Sequence, residues 1–445
     1  MARWCEEAGN MITFNVAGQR VVYVNDPKLI KRVLLTNQRN YCKDIGTSYK
    51  HFMCLLGSGL VTSEGDKWKK GRLLLSHALR IDILDEIPTI THSAISKIIA
   101  KLNKNESVDL NEEFRHMTLQ VIGEAALSFT PEQTDAIFPS LYLPIVHECN
   151  RRVWEPWRQF LPFLNGSRER STCLKRLNEV LCKTIRERWA LRADEKRQGI
   201  TRKQDIMDLC MSQIPELDDA IVAQLRDDVK TMLLAGHETS AALLTWATYE
   251  LIAHPDIMEE VVRESLAVYG KHIAAGTIPD LEEVKRLTWT PAVLRETLRK
   301  HSVVPLTMRV ALEDDIIPTS ESGLGHEVVI PKNCTVAVGI LGVHHRPDIW
   351  ANPSTFSPKR FMGENMERVD PYAFIPFING PRNCLGQHLS LMETQFALSW
   401  LVANMSLSLH GEQDVAKVGK HHPFIVPSVP NNGLHVSAIP RKVSP

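Results

Sequence analysis

From about Asp219 to Ala253 the chain runs some 35 residues in a helical pattern without a proline, far past the 8 to 20 residues of an ordinary globular helix. A helix that long must cross the whole molecule, and the rest of the chain has to pack around it. The periodicity is helical from about Asp66 to His301, with loops expected at Pro131, Pro156, Pro162, Pro215, Pro255 and Pro279. A second helical pattern runs from Leu385 to about Met405. Strand-like texture is confined to about residues 11–25, 303–340 and 423–440, with Ile12, Phe14 and Val16 alternating in the first. There is no internal repeat and no Gly/Ser linker, and the early and late β segments must pair with each other to avoid bare edges. The expectation is one mostly α domain with a minor β region, spanning residues 1–445.

Composition narrows the function. Lys plus Arg equals Asp plus Glu, 52 against 52, so no positive field is available to hold a phosphate backbone, and nucleic acid is not an expected partner. No apolar run reaches the roughly 18 residues that span a bilayer. Arg3, Glu6 and Glu7 follow Met1 closely, unlike a signal peptide, so neither membrane crossing nor secretion is expected. Nine cysteines, at 5, 42, 54, 149, 173, 182, 210, 334 and 384, include no C-x-x-C pair, which suits mostly buried, reduced thiols rather than a disulfide framework or zinc site. The basic stretch Lys183 to Lys203 also carries Glu187, Asp194 and Glu195 and reads as the solvated face of a surface helix. Phosphate-loop, zinc-helix and nucleophile-turn motifs are absent. His344 and His345 are neighbours whose side chains would point to opposite faces of an extended segment, so they read as packing or hydrogen-bonding residues, not ligands.

One thiol stands apart. Phe377-Ile378-Asn379-Gly380-Pro381-Arg382-Asn383-Cys384-Leu385-Gly386 is a loop that delivers a single Cys to the start of a helix. A helix N-terminus stabilises an anion, so thiolate is expected there over thiol. Gly380 permits a turn closed to other residues, Gly386 lets backbone approach a flat ligand, and Arg382 offers a cation to a carboxylate. Together these suit a thiolate holding the iron of a haem, with Phe377 shielding the sulfur and Arg382 meeting a propionate. Five such residues at fixed offsets arise by chance on the order of 10⁻⁴ times in a chain of this composition.

This F-x-x-G-x-R-x-C-x-G pattern resembles the haem-thiolate signature of the cytochromes P-450. Three other segments stand in the order that family shows. Glu296-Thr297-Leu298-Arg299 resembles its E-x-x-R helix, whose ion pair the family locks with a later arginine, here Arg360. Ala235-Gly236-His237-Glu238-Thr239-Ser240 resembles its oxygen-binding segment, and Trp68-x-x-x-Arg72 the helix whose Trp and Arg meet a haem propionate. The similarity extends from about Met11 to Pro440. Gly236 inside so long a helix costs about 1 kcal/mol relative to Ala, which points to close approach of a ligand or a local distortion. Thr239 beside the acid Glu238 could hold water there and pass protons during oxygen activation.

The resemblance implies the triangular P-450 fold with haem b between the Glu238 helix and the Cys384 loop. It implies Cys384 as axial ligand, with Arg382, Phe377, Gly380, Gly386, Trp68, Arg72, Arg309 and Gly236 around the cofactor. Glu238 and Thr239 would be catalytic, and Glu296, Arg299 and Arg360 a structural triad. The implied reaction inserts one oxygen atom of O2 into an apolar organic substrate, with NADPH-derived electrons from a separate flavoprotein reductase or ferredoxin. A hydroperoxide-rearranging haem-thiolate enzyme has no need of the Glu238-Thr239 pair, and a non-catalytic haem-binding sensor has none either; these are the alternatives. The family's membrane anchor and proline-rich hinge are missing, so a soluble or shortened form is expected, intracellular, with peripheral contact at the endoplasmic reticulum or another organelle membrane compatible with it. Lys359 stands where the family usually has an acid, Val304 breaks its paired prolines before Pro305, and Ala235 rules out the haem ester formed by an acid at that position in some fatty-acid hydroxylases.

Overall fold

A computed structural model of the chain describes residues 11–442 other than 17, 80, 201–203, 324, 412–417 and 419–426, with backbone only at 81, 82 and 366–368. The stretch 423–426 of the expected C-terminal β region, Lys203, Cys5 and everything before Met11 lie outside these residues. The main helices are α1 (Gly65–Ala78), α2 (Ile87–Leu102), α3 (Leu110–Leu127), α4 (Leu143–Trp154), α5 (Asn165–Gln198), α6 (Asp219–Ala253), α7 (Pro255–Ala275), α8 (Trp289–His301) and α9 (Gln387–Asn404).

The long helix α6 is the axis of the fold. Asp218 caps it by accepting from the Ile221 N–H at 2.7 Å, and its 35 residues span about 50 Å at 1.5 Å per residue. It is buried on nearly every face, with Trp246 wholly enclosed, because α3, α8 and α9 all pack along it. That explains why residues 241–249 are buried without a break and carry no charge, rather than forming an apolar stripe.

Two of the expected loop prolines instead open helices. Pro131 follows Thr130, whose side chain accepts from the Gln133 N–H in a capping box, and Pro255 is the first residue of α7. A first-turn N–H has no partner inside the helix, so proline costs nothing there. The last helix is shorter than its apolar pattern at both ends: Gly386 is its N-cap, leaving Leu385 in the loop, and Met405 already begins a strand.

Among the described residues the β part comprises ten strands: β1 (Met11–Val16), β2 (Gln19–Val24), β3 (Tyr41–Lys43), β4 (Val108–Asp109), β5 (Leu306–Ala311), β6 (Asp315–Ile317), β7 (Val328–Ile330), β8 (Thr335–Gly339), β9 (Met405–Leu409) and β10 (His435–Pro440). The main sheet has the order β1-β2-β8-β5-β3. Its parallel β2–β8 pairing, with Val22 opposite Val336, joins the first β segment to the 303–340 segment in one sheet, whereas the C-terminal strand β10 lies in a second sheet between β4 and β9. At its far edge β3 runs antiparallel to β5 and sets Lys43 directly opposite Arg309. Like charges in that position repel, so an anion is needed beside them.

Candidate functional site

The Cys384 loop is a tight turn held by its own backbone. The Cys384 N–H donates to Phe377 O at 2.9 Å and the Asn383 N–H to Gly380 O at 3.1 Å. Gly380 has φ +85°, and a Cβ there would lie 2.2 Å from Leu34 O, so no other residue fits. Ile378, a β-branched residue, is held at φ +60°, a strained conformation for which the surrounding contacts must compensate. The Cys384 side chain opens into a cavity of about 310 Å³. Burial pushes its thiol above the ordinary range, against the Gly386 N–H and the charges of Arg72 and Lys43. The helix-terminus field expected to favour thiolate is weak at this position, because α9 starts only at Gln387, and desolvation works against it.

The cavity lies between this loop and α6, which contributes Ala235, Gly236, Thr239 and Ser240 to the wall; Phe377, Gly386, Trp68, Arg72 and Arg382 line it too. Helix α6 runs unbroken through Gly236, whose Cβ position is 3.2 Å from Ile122 Cγ1 of α3, so this glycine lets two helices approach rather than marking a kink. Thr239 faces the cavity and donates its hydroxyl to Ala235 O at 2.6 Å. Glu238 does not line the cavity. Its carboxylate is buried towards α3, where Arg115 Nη2 lies 2.7 Å from it; burial would raise its pKa, but His237 and Arg115 hold it below the usual carboxylate range.

A ring of cations closes one edge. Arg382 donates to Ser63 O at 2.9 Å, pairs with Glu64 and lies 4.0 Å from the Trp68 ring centre. Arg72 donates to Asn383 O at 2.8 Å. Arg309 is buried with its Nη2 unpartnered. Lys43 is pushed down to about 7, by burial first and then by Arg309 and Arg382, with Glu64 opposing. Three arginines and a partly charged Lys43 around one carboxylate leave positive charge uncompensated. Two propionates supply what is lacking, and a thiol opening into a largely apolar cavity supplies the axial ligand, so these residues fit a haem.

A family model described as Cytochrome P450 matches residues 1–433. The chain belongs to the cytochrome P450 family. It is similar to cytochrome P450 4V2 of Pongo abelii, 29% identical over 427 residues that cover 91% of this chain and 77% of that one. It is also similar to cytochrome P450 4Z1 of Homo sapiens, at 28% over 93% of this chain and 81% of the relative, and to Protein LUTEIN DEFICIENT 5, chloroplastic, of Arabidopsis thaliana, at 26% over 90% and 68%. The crystal structure of the cytochrome P450DA heme domain superposes with a TM-score of 0.81 over 99% of this chain and 92% of that one at 23% identity, which establishes the shared fold. This P450 is thus a haem-thiolate monooxygenase that uses dioxygen. No helix among its described residues is long and apolar enough to cross a membrane.

The P450's ion-pair triad sits behind the Cys384 loop. Glu296 accepts from Arg299 Nε and Nη2, both at 2.8 Å, from the Ser357 N–H at 2.9 Å and from Arg360 Nε at 3.3 Å. Arg299 donates onward to His344 O at 3.0 Å and Thr355 O at 3.2 Å. His344 lies in a short helix, Ile340–His344, not an extended segment. Its Nε2 accepts from the Ile375 N–H at 2.9 Å and its Nδ1 meets Ser302 Oγ at 2.9 Å. Burial pushes its pKa down to about 3, so it stays neutral and Nδ1 is the donor. A chain of contacts therefore runs from the triad to Ile375, two residues before Phe377. The sequence reading missed His344's place in this chain, and it missed Lys43, Glu64 and Arg115. Glu64 directly precedes the Trp68 helix and could have been suspected; nothing local marked the others.

Proposed function

We propose that this P450 inserts one oxygen atom of O2 into an apolar substrate lying against α6, with electrons supplied by a separate reductase. The observation that carries the reading is the Thr239 hydroxyl facing the same cavity as Cys384, amid Leu60, Ile122, Met232, Leu243 and Val303. When bound, haem supplies a thiolate-ligated iron whose electron density favours O–O cleavage. Arg72, Arg309, Arg382 and Lys43 orient the propionates, and the apolar wall excludes water and selects an apolar substrate. Thr239 can break its bond to Ala235 O and hold water or a proton in the cavity. Glu238 acts from behind the helix, exchanging Arg115 for a water when a proton is delivered.

Thr239→Ala should leave haem content and substrate binding unchanged while diverting reducing equivalents to hydrogen peroxide. Glu238→Gln should slow turnover more than it uncouples it. Parallel measurement of NADPH consumed, product formed and peroxide released checks both; wild-type rate and coupling in the two mutants would remove the helix centre from oxygen activation.

The exposed aromatics Trp157, Phe160 and Phe163 between α4 and α5, with the basic Arg151 and Arg168 nearby in sequence, support peripheral contact with a lipid surface. Changing the three aromatics to Ser should reduce co-sedimentation with vesicles of anionic lipid and leave the haem spectrum intact. Equal sedimentation of mutant and wild type would count against such contact.

A further inference from the structure

Away from the haem cavity, Cys54 and Cys149 bring their sulfur atoms to 3.8 Å. Cys54 lies half-buried in the short helix Met53–Leu56, and Cys149 is fully buried in α4. No other pair of described cysteines is in sulfur–sulfur hydrogen-bond contact. Arg170 of α5 places Nη1 3.4 Å from Cys54 Sγ. The neighbouring arginines Arg152 and Arg158 share Glu148 at 2.9 Å, and Arg158 also pairs with Glu155 at 3.1 Å, but Arg170 has no carboxylate partner among the described residues. Its charge therefore faces the Cys54 sulfur.

We propose that Cys54 and Cys149 are an oxidation site, a reactive thiol and a resolving thiol that close into a disulfide when the protein meets hydrogen peroxide or an organic hydroperoxide. The Cys54 thiol gives up its proton and the thiolate attacks the peroxide O–O bond, which breaks to give a Cys54 sulfenic acid and a hydroxide or alkoxide that takes that proton and leaves as water or alcohol. The Cys149 thiol then displaces the sulfenic oxygen as a second water, and the S–S bond forms. Two thiols lose two electrons and the peroxide gains them, so the step balances without another reactant. The sulfurs need to close from 3.8 Å to roughly 2.05 Å. The electrostatics agree with the assignment of roles. The Cys149 hydrogen bond first, then Arg170 and Arg152 against burial, hold the Cys54 thiol below the ordinary thiol range, whereas Cys149 is raised.

Position gives the bond a consequence. The residues just after Cys54 are anchored on α6, with the Ser58 N–H donating to Asp227 Oδ2 at 3.0 Å and the Leu60 N–H to Asp228 Oδ1 at 2.9 Å. Leu60 and Val61 then line the haem cavity. A disulfide would fasten this segment of cavity wall to α4 as well and so restrict the motion that admits an apolar ligand. The inference does not depend on which substrate the enzyme oxidises.

The test uses reduced ferric holoprotein treated with a molar equivalent of hydrogen peroxide and digested without reductant. Peptide mass mapping should find the Cys54 and Cys149 peptides joined, two hydrogens lighter than their sum, and separate again after reductant. Cys149→Ser should lose the joined peptide and leave a Cys54 sulfenic acid that dimedone traps, and Arg170→Gln should slow its formation. Association of an apolar ligand, followed by its spectral shift, should slow on oxidation in wild type and not in Cys149→Ser. Oxidation of other cysteines with Cys54 untouched, or a Cys54 sulfenic acid that never joins Cys149 in wild type, would overturn the proposal.

Discussion

Glu296→Ala should yield protein that does not retain haem. The mutation leaves the guanidinium of Arg299, wholly buried, without the carboxylate that takes its Nε and Nη2 at 2.8 Å. An unpartnered buried charge costs about 3 to 5 kcal/mol, a large part of the roughly 5 to 15 kcal/mol by which a domain is stable. The loss is also directed at the cofactor. Arg299 holds His344 O, and His344 holds the Ile375 N–H, so releasing the arginine loosens the strand of contacts that seats the Cys384 loop. Arg360→Ala should be milder, because Arg360 reaches Glu296 at only 3.3 Å and is partly exposed. Haem-to-protein ratio and thermal midpoint across the two mutants measure the difference. Soluble, fully haem-loaded Glu296→Ala would contradict the role given to the pair.

What the sequence revealed and what it hid divide along a physical line. Helix α6 was readable to its ends because a proline-free, apolar run sets its own secondary structure and Asp218 caps it locally. Gly380 and the Glu296–Arg299 spacing were readable for the same reason: a positive φ and an i, i+3 pair are local geometry. The cation ring was only half visible. Arg72 and Arg382 stood in motifs, but Lys43 comes from a three-residue strand whose place beside Arg309 is fixed by sheet pairing across the chain. Arg115 was hidden likewise, since its contact with Glu238 depends on α3 lying against α6. His344 was misplaced because five residues of helix carry too little periodicity to separate from strand. At Cys384 the helix terminus could be seen in sequence, and the desolvation that opposes it could not.

Cys384→Ala should reduce monooxygenase activity to background, even if the cavity still takes up porphyrin. Among the described residues no other thiol and no imidazole lines the cavity, and without the sulfur O–O cleavage loses the electron density that favours it. The fold should tolerate the change, because the turn is held by backbone contacts, the Cys384 N–H to Phe377 O among them, that alanine preserves. Haem content near wild type with no product formation is the expected combination; product at the wild-type rate would mean that Cys384 is not the ligand.

The measurement that bears most directly on the account is the absorbance spectrum of the reduced protein under carbon monoxide, for wild type and Cys384→Ala side by side. A thiolate from Cys384 predicts a strongly red-shifted Soret band in wild type and its disappearance in the mutant. A wild-type band at the position typical of histidine-ligated haem, or a red-shifted band that survives in Cys384→Ala, would contradict it.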